Sequence, residues 1–136
     1  MKASIIVFPG SNCDRDIAVS IKKLTNLEPI MVWHKETSMP DSDLIIIPGG
    51  FTFGDYLRCG SIAANSPIMK DVIKKATDGL PTLGICNGFQ ILTESGLLPG
   101  TLIKNDCLSF LCKTVSIRVE NNQTIFSSNF PRTKNT

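Results

Sequence analysis

The chain has 136 residues, 42% of them hydrophobic and 19% charged, and a formal net charge of +2. That suits one soluble folded domain and argues against a disordered chain. The basic residues are scattered, with no cluster longer than Lys22-Lys23 or Lys74-Lys75, so no nucleic-acid surface is expected. No apolar run reaches the ~18 residues of a membrane span, and Met1-Lys2-Ala3 enters a strand-like run without a signal-peptide pattern. A cytoplasmic protein without membrane contact is expected. Its five cysteines, an odd number without metal-ligand spacing, are expected to be free thiols, and no metal site is expected.

In chain order, Ala3–Phe8 reads as a strand stopped by Pro9-Gly10-Ser11-Asn12. Asp14–Asn26 reads as a helix with Ile17, Ile21 and Leu24 on one face. Pro29–Trp33 and Asp43–Pro48 read as strands. The unbroken Leu44-Ile45-Ile46-Ile47 suits a parallel strand buried on both faces. Ile62–Ala76 has helical spacing of Ile62, Met69, Val72, Ile73 and Ala76. Leu80–Ile85 is a fourth strand and Asn87–Glu94 a helix. Leu97-Leu98-Pro99-Gly100 is a turn, and Thr114–Val119 alternates like a half-exposed antiparallel strand ahead of a turn at Glu120-Asn121-Asn122-Gln123. Thr124-Ile125-Phe126 begins a further element, and Asn129–Thr136 reads as a frayed polar tail. The order argues for one domain, 1–136, of the α/β class, with an open, mostly parallel sheet and helices on both faces.

Ligands of such sheets bind beyond the carboxyl ends of the strands. Three loops lie there. The first is Pro9-Gly10-Ser11-Asn12-Cys13, the second is Pro48–Gly60 with four glycines, and the third is Gly84-Ile85-Cys86-Asn87-Gly88-Phe89-Gln90. The third has the form G-x-C-x-G, a nucleophile elbow, in which Gly84 and Gly88 let strand and helix approach while the thiol stands at the apex. The helix N-terminus there favours a thiolate. An inert buried thiol would account for a cysteine after an apolar strand, but not for both glycines. Gly49-Gly50 beside such an elbow would let backbone N–H groups face an oxyanion; alone, the pair would equally well make a tight turn.

The elbow resembles that of the class I, triad-type glutamine amidotransferases. Val7–Asp14, Val32-Trp33-His34, Pro48–Gly60 and Leu97–Gly100 are similar to one subfamily, the glutaminase subunits of phosphoribosylformylglycinamidine synthase. The resemblance covers nearly the whole chain and implies a flavodoxin-like fold. It implies Cys86 as the nucleophile on L-glutamine, with backbone N–H groups of Gly50 and Asn87 as the oxyanion hole. Gly49, Phe51 and Gln90 would contact substrate. Ammonia would pass to a synthetase subunit, with a small accessory subunit alongside. ATP and Mg would belong to the synthetase, and this chain would hold no cofactor.

The triad also needs a histidine and a glutamate, which the family carries in a His-x-Glu motif well beyond the elbow. The only histidine here is His34, in the Val-Trp-His segment, and it reads as structural. The C-terminal part of the family fold is therefore expected to be missing. The chain would be a fragment or early-terminated product, a degenerate protein retaining partner or glutamine binding, or one whose base comes from another chain. A DJ-1-like redox or stress protein is the alternative of a different class. Cys13 and Cys59 read as packing residues, Cys107 and Cys112 are assigned no role, and Asp55 and Arg58 would pair with each other or meet the synthetase.

Overall fold

A computed structural model describes residues 1–130. The reading of the tail lies outside them from residue 131 onward. The chain divides into two units, Met1–Ile103 and Lys104–Thr136.

The first unit is built on four parallel strands: β1 (Ala3–Val7), β2 (Ile30–Trp33), β3 (Leu44–Ile47) and β4 (Thr82–Gly84), in the order β2-β1-β3-β4. The sheet is wholly parallel. Every residue of β3 is buried, as a central strand covered on both faces requires. Alternation sorts the side chains. Ala3, Ile5, Leu44 and Ile46 face α1 (Asp14–Thr25) through its Ile17, Ala18 and Ile21. Ile6, Phe8, Val32, Ile45 and Ile47 face the other way. They meet Ala63 of α2 (Ser61–Ala64), Met69 and Val72 of α3 (Met69–Thr77), and Ile91 and Leu92 of α4 (Asn87–Glu94). Each buried isoleucine contributes about 2 kcal/mol, which is how strands this short persist.

Three expectations are corrected. Leu24 is 82% exposed, because the last turn of α1 lies past the part packed on the sheet. The expected helix Ile62–Ala76 is two helices, broken at Ser66-Pro67, where proline lacks an N–H and disfavours helix at the preceding residue. Thr114–Val119 is not a strand. Residues 104–130 are turns and irregular chain, without helix or strand, and Leu108, Phe110 and Ile117 stand exposed. Alternation selects a strand only where a partner supplies hydrogen bonds and a buried face. Thr124-Ile125-Phe126 enters a turn. No helix of the described residues is long and apolar enough to cross a membrane.

The register aligns the carboxyl ends of the strands. Val7 lies opposite Trp33, Ile5 opposite Ile46, and Ile47 opposite Gly84. The three loops that follow β1, β3 and β4 thus emerge from one edge.

Candidate functional site

Cys86 sits at the N-cap of α4 with φ 54° and ψ −111°. An L-residue there carries roughly 1–3 kcal/mol of strain, kept only where its surroundings impose it. Here they do. Ile85 N–H donates to the Ile47 carbonyl at 3.0 Å, Gly88 N–H to the Ile85 carbonyl at 2.9 Å, and Phe89 N–H to the Cys86 carbonyl at 3.0 Å. The flanking glycines make the turn possible. A Cβ at Gly88 would lie 2.0 Å from the Ile47 carbonyl oxygen, and one at Gly84 would lie 2.6 Å from that of Gly88. The thiol is exposed at the apex, and all five cysteines are free.

The loop after β3 lies against this elbow. A Cβ on Gly49 would stand 3.4 Å from Cys86 Cβ and 3.6 Å from Cys13 Sγ, so Gly49 and both cysteines share one small space. Gly50, at φ 145°, is clamped on the loop after β1, where a Cβ would lie 2.3 Å from the Gly10 carbonyl oxygen. Main-chain bonds stitch the two loops together. Phe51 N–H donates to Gly10 O and Phe53 N–H to Pro9 O, both at 2.8 Å, and Cys13 N–H donates to Gly49 O at 3.2 Å. The N–H groups of Gly50 and Asn87 have no acceptor among the described residues. Phe51 is exposed beside them.

Past Gly50 the loop enters a 3-10 turn, Thr52–Asp55, then runs to Leu57. Phe53, Gly54, Asp55 and Leu57 all have φ between 52° and 67°. This left-handed run is pinned to α4. Asn87 Oδ1 accepts the Thr52 N–H at 3.1 Å, and Asn87 Nδ2 donates to Asp55 Oδ1 at 3.3 Å and to Gln90 Oε1 at 2.8 Å. Arg58 donates to Glu94 twice, Nε to Oε1 at 3.0 Å and Nη2 to Oε2 at 2.7 Å. Asp55 and Arg58 therefore do not pair with each other. Hydrogen bonding to Arg58 holds the Glu94 carboxyl below its usual range. Burial first, then Asp55, pushes the Cys59 thiol up.

The structure thus gathers Gly49, Gly50, Gly84, Cys86, Asn87, Gly88 and Gln90 in one place. It puts His34 to other use. His34 is buried after β2, with its ring 5.3 Å from Phe53, edge to face, 4.5 Å from Trp33 and 6.2 Å from Phe8, centroid to centroid. Burial, then Lys35, pulls its pKa below 6.5. It is an aromatic-cluster residue under the 48–60 loop. Sequence reasoning missed the Asn87 side chain. The signal was a polar residue directly after the elbow cysteine, but its partners Thr52 and Asp55 lie over 30 positions upstream.

Residues 1–134 match the family model of the CobB/CobQ-like glutamine amidotransferase domain. The chain is 58% identical over 127 residues to the phosphoribosylformylglycinamidine synthase subunit PurQ of Zymomonas mobilis, covering 93% of this chain and 58% of that protein. With PurQ of Bradyrhizobium diazoefficiens it shares 54% over 131 residues, covering 96% and 56%. The solved structure of PurLQS from Thermotoga maritima superposes with a TM-score of 0.82 at 45% identity, over 96% of this chain and 61% of that one. The chain spans under two thirds of the length of each of these relatives. By the extent of the family match, the chain belongs to the CobB/CobQ-like glutamine amidotransferases, and its sheet is that of the class I fold.

Proposed function

We propose that this chain is the nucleophile-bearing part of a glutaminase that feeds a synthetase making formylglycinamidine ribonucleotide. The observation that carries the reading is Cys86, held in a strained turn between two glycines and packed against Gly49, with the neighbouring Gly50 and Asn87 N–H groups having no acceptor among the described residues. Cys86 Sγ, as thiolate, attacks the side-chain carbonyl of L-glutamine, and the oxygen takes up the negative charge against the N–H groups of Gly50 and Asn87. Collapse expels the amide nitrogen, which leaves as ammonia once protonated, and a γ-glutamyl thioester remains for water to hydrolyse. Gly49 leaves room over the sulfur, and Phe51 and Gln90 flank the glutamine. Ammonia passes to the synthetase subunit, which holds ATP and Mg and converts formylglycinamide ribonucleotide to the amidine; a small accessory subunit completes the assembly. The similarity to PurQ and to the PurLQS structure supports this assignment.

Departure of ammonia needs a proton donor, and His34, packed among Phe8, Trp33 and Phe53, does not serve. Capture of an electrophile whose leaving group needs no proton is therefore within reach of these residues, whereas acylation by glutamine and turnover take the proton of a histidine–carboxylate pair that they do not contain. That one observation favours a second reading, in which the 136 residues bind glutamine or the synthetase without turnover. Membership of an amidotransferase family weighs against the DJ-1-like alternative.

The test is covalent capture of Cys86 by a glutamine-derived diazo-ketone, read by intact mass. Labelling that glutamine suppresses, that asparagine does not, and that Cys86→Ser abolishes is expected. Labelling indifferent to glutamine would overturn the substrate assignment. Ammonia release on adding the synthetase and ATP would reject the binding-only reading.

A further inference from the structure

The N–H of Asn87 serves the proposed oxyanion site; its side chain does something else. Asn87 is 1% exposed, so its amide cannot exchange partners with water. It uses one acceptor and both donors on three residues: Thr52 N–H at 3.1 Å, Asp55 Oδ1 at 3.3 Å and Gln90 Oε1 at 2.8 Å. Thr52 lies two residues after Gly50. The same residue thus carries one candidate donor on its own backbone and anchors the strand of loop that carries the other. Left-handed backbone at Phe53, Asp55 and Leu57 does not hold its own shape. Without the amide, Thr52 N–H loses its hydrogen bond to α4, and the Gly50 segment is then held only by the loop after β1 and not by the helix that carries the Asn87 N–H.

We infer that Asn87 acts through its side chain as a positioning residue that helps set the spacing of the Gly50 and Asn87 N–H groups. The inference rests on the reading of Cys86 as an acyl acceptor, but not on glutamine being the acyl donor. An oxyanion site needs its donors fixed before reaction, since reorganising them would cancel their contribution. Asn87 performs this through hydrogen bonds to a neighbouring loop, without touching the reacting atoms.

The experiment compares two reactions of Cys86 in the 136-residue protein. One is acylation by 4-nitrophenyl acetate, read as the first burst of nitrophenolate. The thiolate adds to the ester carbonyl, an oxyanion forms, the C–O bond to nitrophenolate breaks, and an acetyl thioester remains. No general acid is needed, because nitrophenolate leaves unprotonated. The other is alkylation by iodoacetamide, in which sulfur displaces iodide and no oxyanion forms. Their rate ratio cancels changes in thiolate fraction. The wild-type ratio is expected to exceed that of N-acetylcysteine, and Asn87→Ala to lower it roughly tenfold or more, by analogy with loss of one oxyanion donor. Asn87→Asp keeps the acceptor for Thr52 but sets a carboxylate against Asp55; adding Asp55→Asn restores a donor, and the double variant is expected to recover the ratio.

A wild-type ratio equal to that of the free thiol overturns the inference. So does a ratio unchanged by Asn87→Ala, which would leave the residue merely structural. Should Asn87→Ala fail to fold, Asn87→Asp against its double variant decides, and absence of recovery overturns it. If the diazo-ketone fails while these ratios behave as expected, the glutamine reading alone falls. If the diazo-ketone labels under glutamine control while the ratios ignore Asn87, this inference alone falls.

Discussion

The close contact at Gly88 gives the sharpest test of the elbow. An alanine there would put its Cβ 2.0 Å from the Ile47 carbonyl oxygen and 2.7 Å from the carbonyl carbon. Real Cβ atoms essentially never come within 3.0 Å of such neighbours, so β3 and α4 must separate by at least about 1 Å. The oxygen in the way is the acceptor for Ile85 N–H, at 3.0 Å, which joins β4 to β3. Overpacking of this kind costs about 1–3 kcal/mol, and a buried group stripped of its partner about 1–3 more. The better helix propensity of alanine returns about 1 kcal/mol, leaving a net loss of roughly 3 kcal/mol. Domains of this size are stable by roughly 5–15 kcal/mol, so the variant should fold but be weakened. Urea unfolding, followed by the emission of Trp33, the only tryptophan, should show the midpoint lowered by roughly 1–2 M. Gly96→Ala is the control. Its φ of 79° costs about 1–2 kcal/mol, and its Cβ meets nothing within 4 Å. A Gly88→Ala midpoint equal to that of wild type would refute the geometry of the elbow.

Three further outcomes are expected. His34 has its folded pKa below 6.5, so the unfolded chain binds more protons as pH falls through 6.5; stability should be full above that pH and decline below it, and His34→Gln should flatten the decline in urea midpoints between pH 7.5 and 5. The Glu94 side chain, 8% exposed, has its folded pKa depressed by its hydrogen bond to Arg58, so Arg58→Ala should lower the urea midpoint at pH 7, and the difference from wild type should shrink as pH falls from 4.5 through the depressed folded value. Among the described residues the buried hydroxyl of Thr52 has no partner, so Thr52→Val, of like shape, should leave thermal stability unchanged or raise it; a loss above about 2 kcal/mol would show that a ligand or water uses the hydroxyl.

What could be read from the sequence was local. The run Leu44–Ile47 announced a doubly covered parallel strand, and the glycines two before and two after Cys86 announced the elbow, because both constraints lie within a few residues. Helix Asn87–Glu94 is bounded as its pattern suggests. The break at Pro67 was legible too, but the apolar spacing across it dominated the reading. Leu24 was misread because helical periodicity does not tell where a helix overhangs the sheet. The 114–119 alternation was misread because a pattern compatible with a strand does not create its partner. The bonds of Asn87 to Thr52 and Asp55 and of Arg58 to Glu94 span 32–36 positions, and no spacing rule encodes them. His34 was rightly read as structural, but its aromatic neighbours Phe8 and Phe53 came only with the fold.

The energetics of the 48–60 loop explain why so few anchors matter so much. Phe53, Asp55 and Leu57, all left-handed and none of them glycine, each cost about 1–2 kcal/mol. Against this stand the hydrogen bonds from Phe51 to Gly10, Phe53 to Pro9, Cys13 to Gly49 and Thr52 to Asn87, each contributing about 1 kcal/mol net. The bonds from Asn87 to Asp55 and from Arg58 to Glu94 add to these anchors. Three of the first four bonds tie the loop to the turn after β1, and they persist whatever happens at α4. The bond from Thr52 to Asn87 ties it to the elbow itself. Its loss therefore leaves the loop attached to the sheet, and to the far end of α4 through Arg58 and Glu94, but removes the hydrogen bond that fixes Thr52, two residues after Gly50, on the elbow helix, and an oxyanion site tolerates displacement of its donors least.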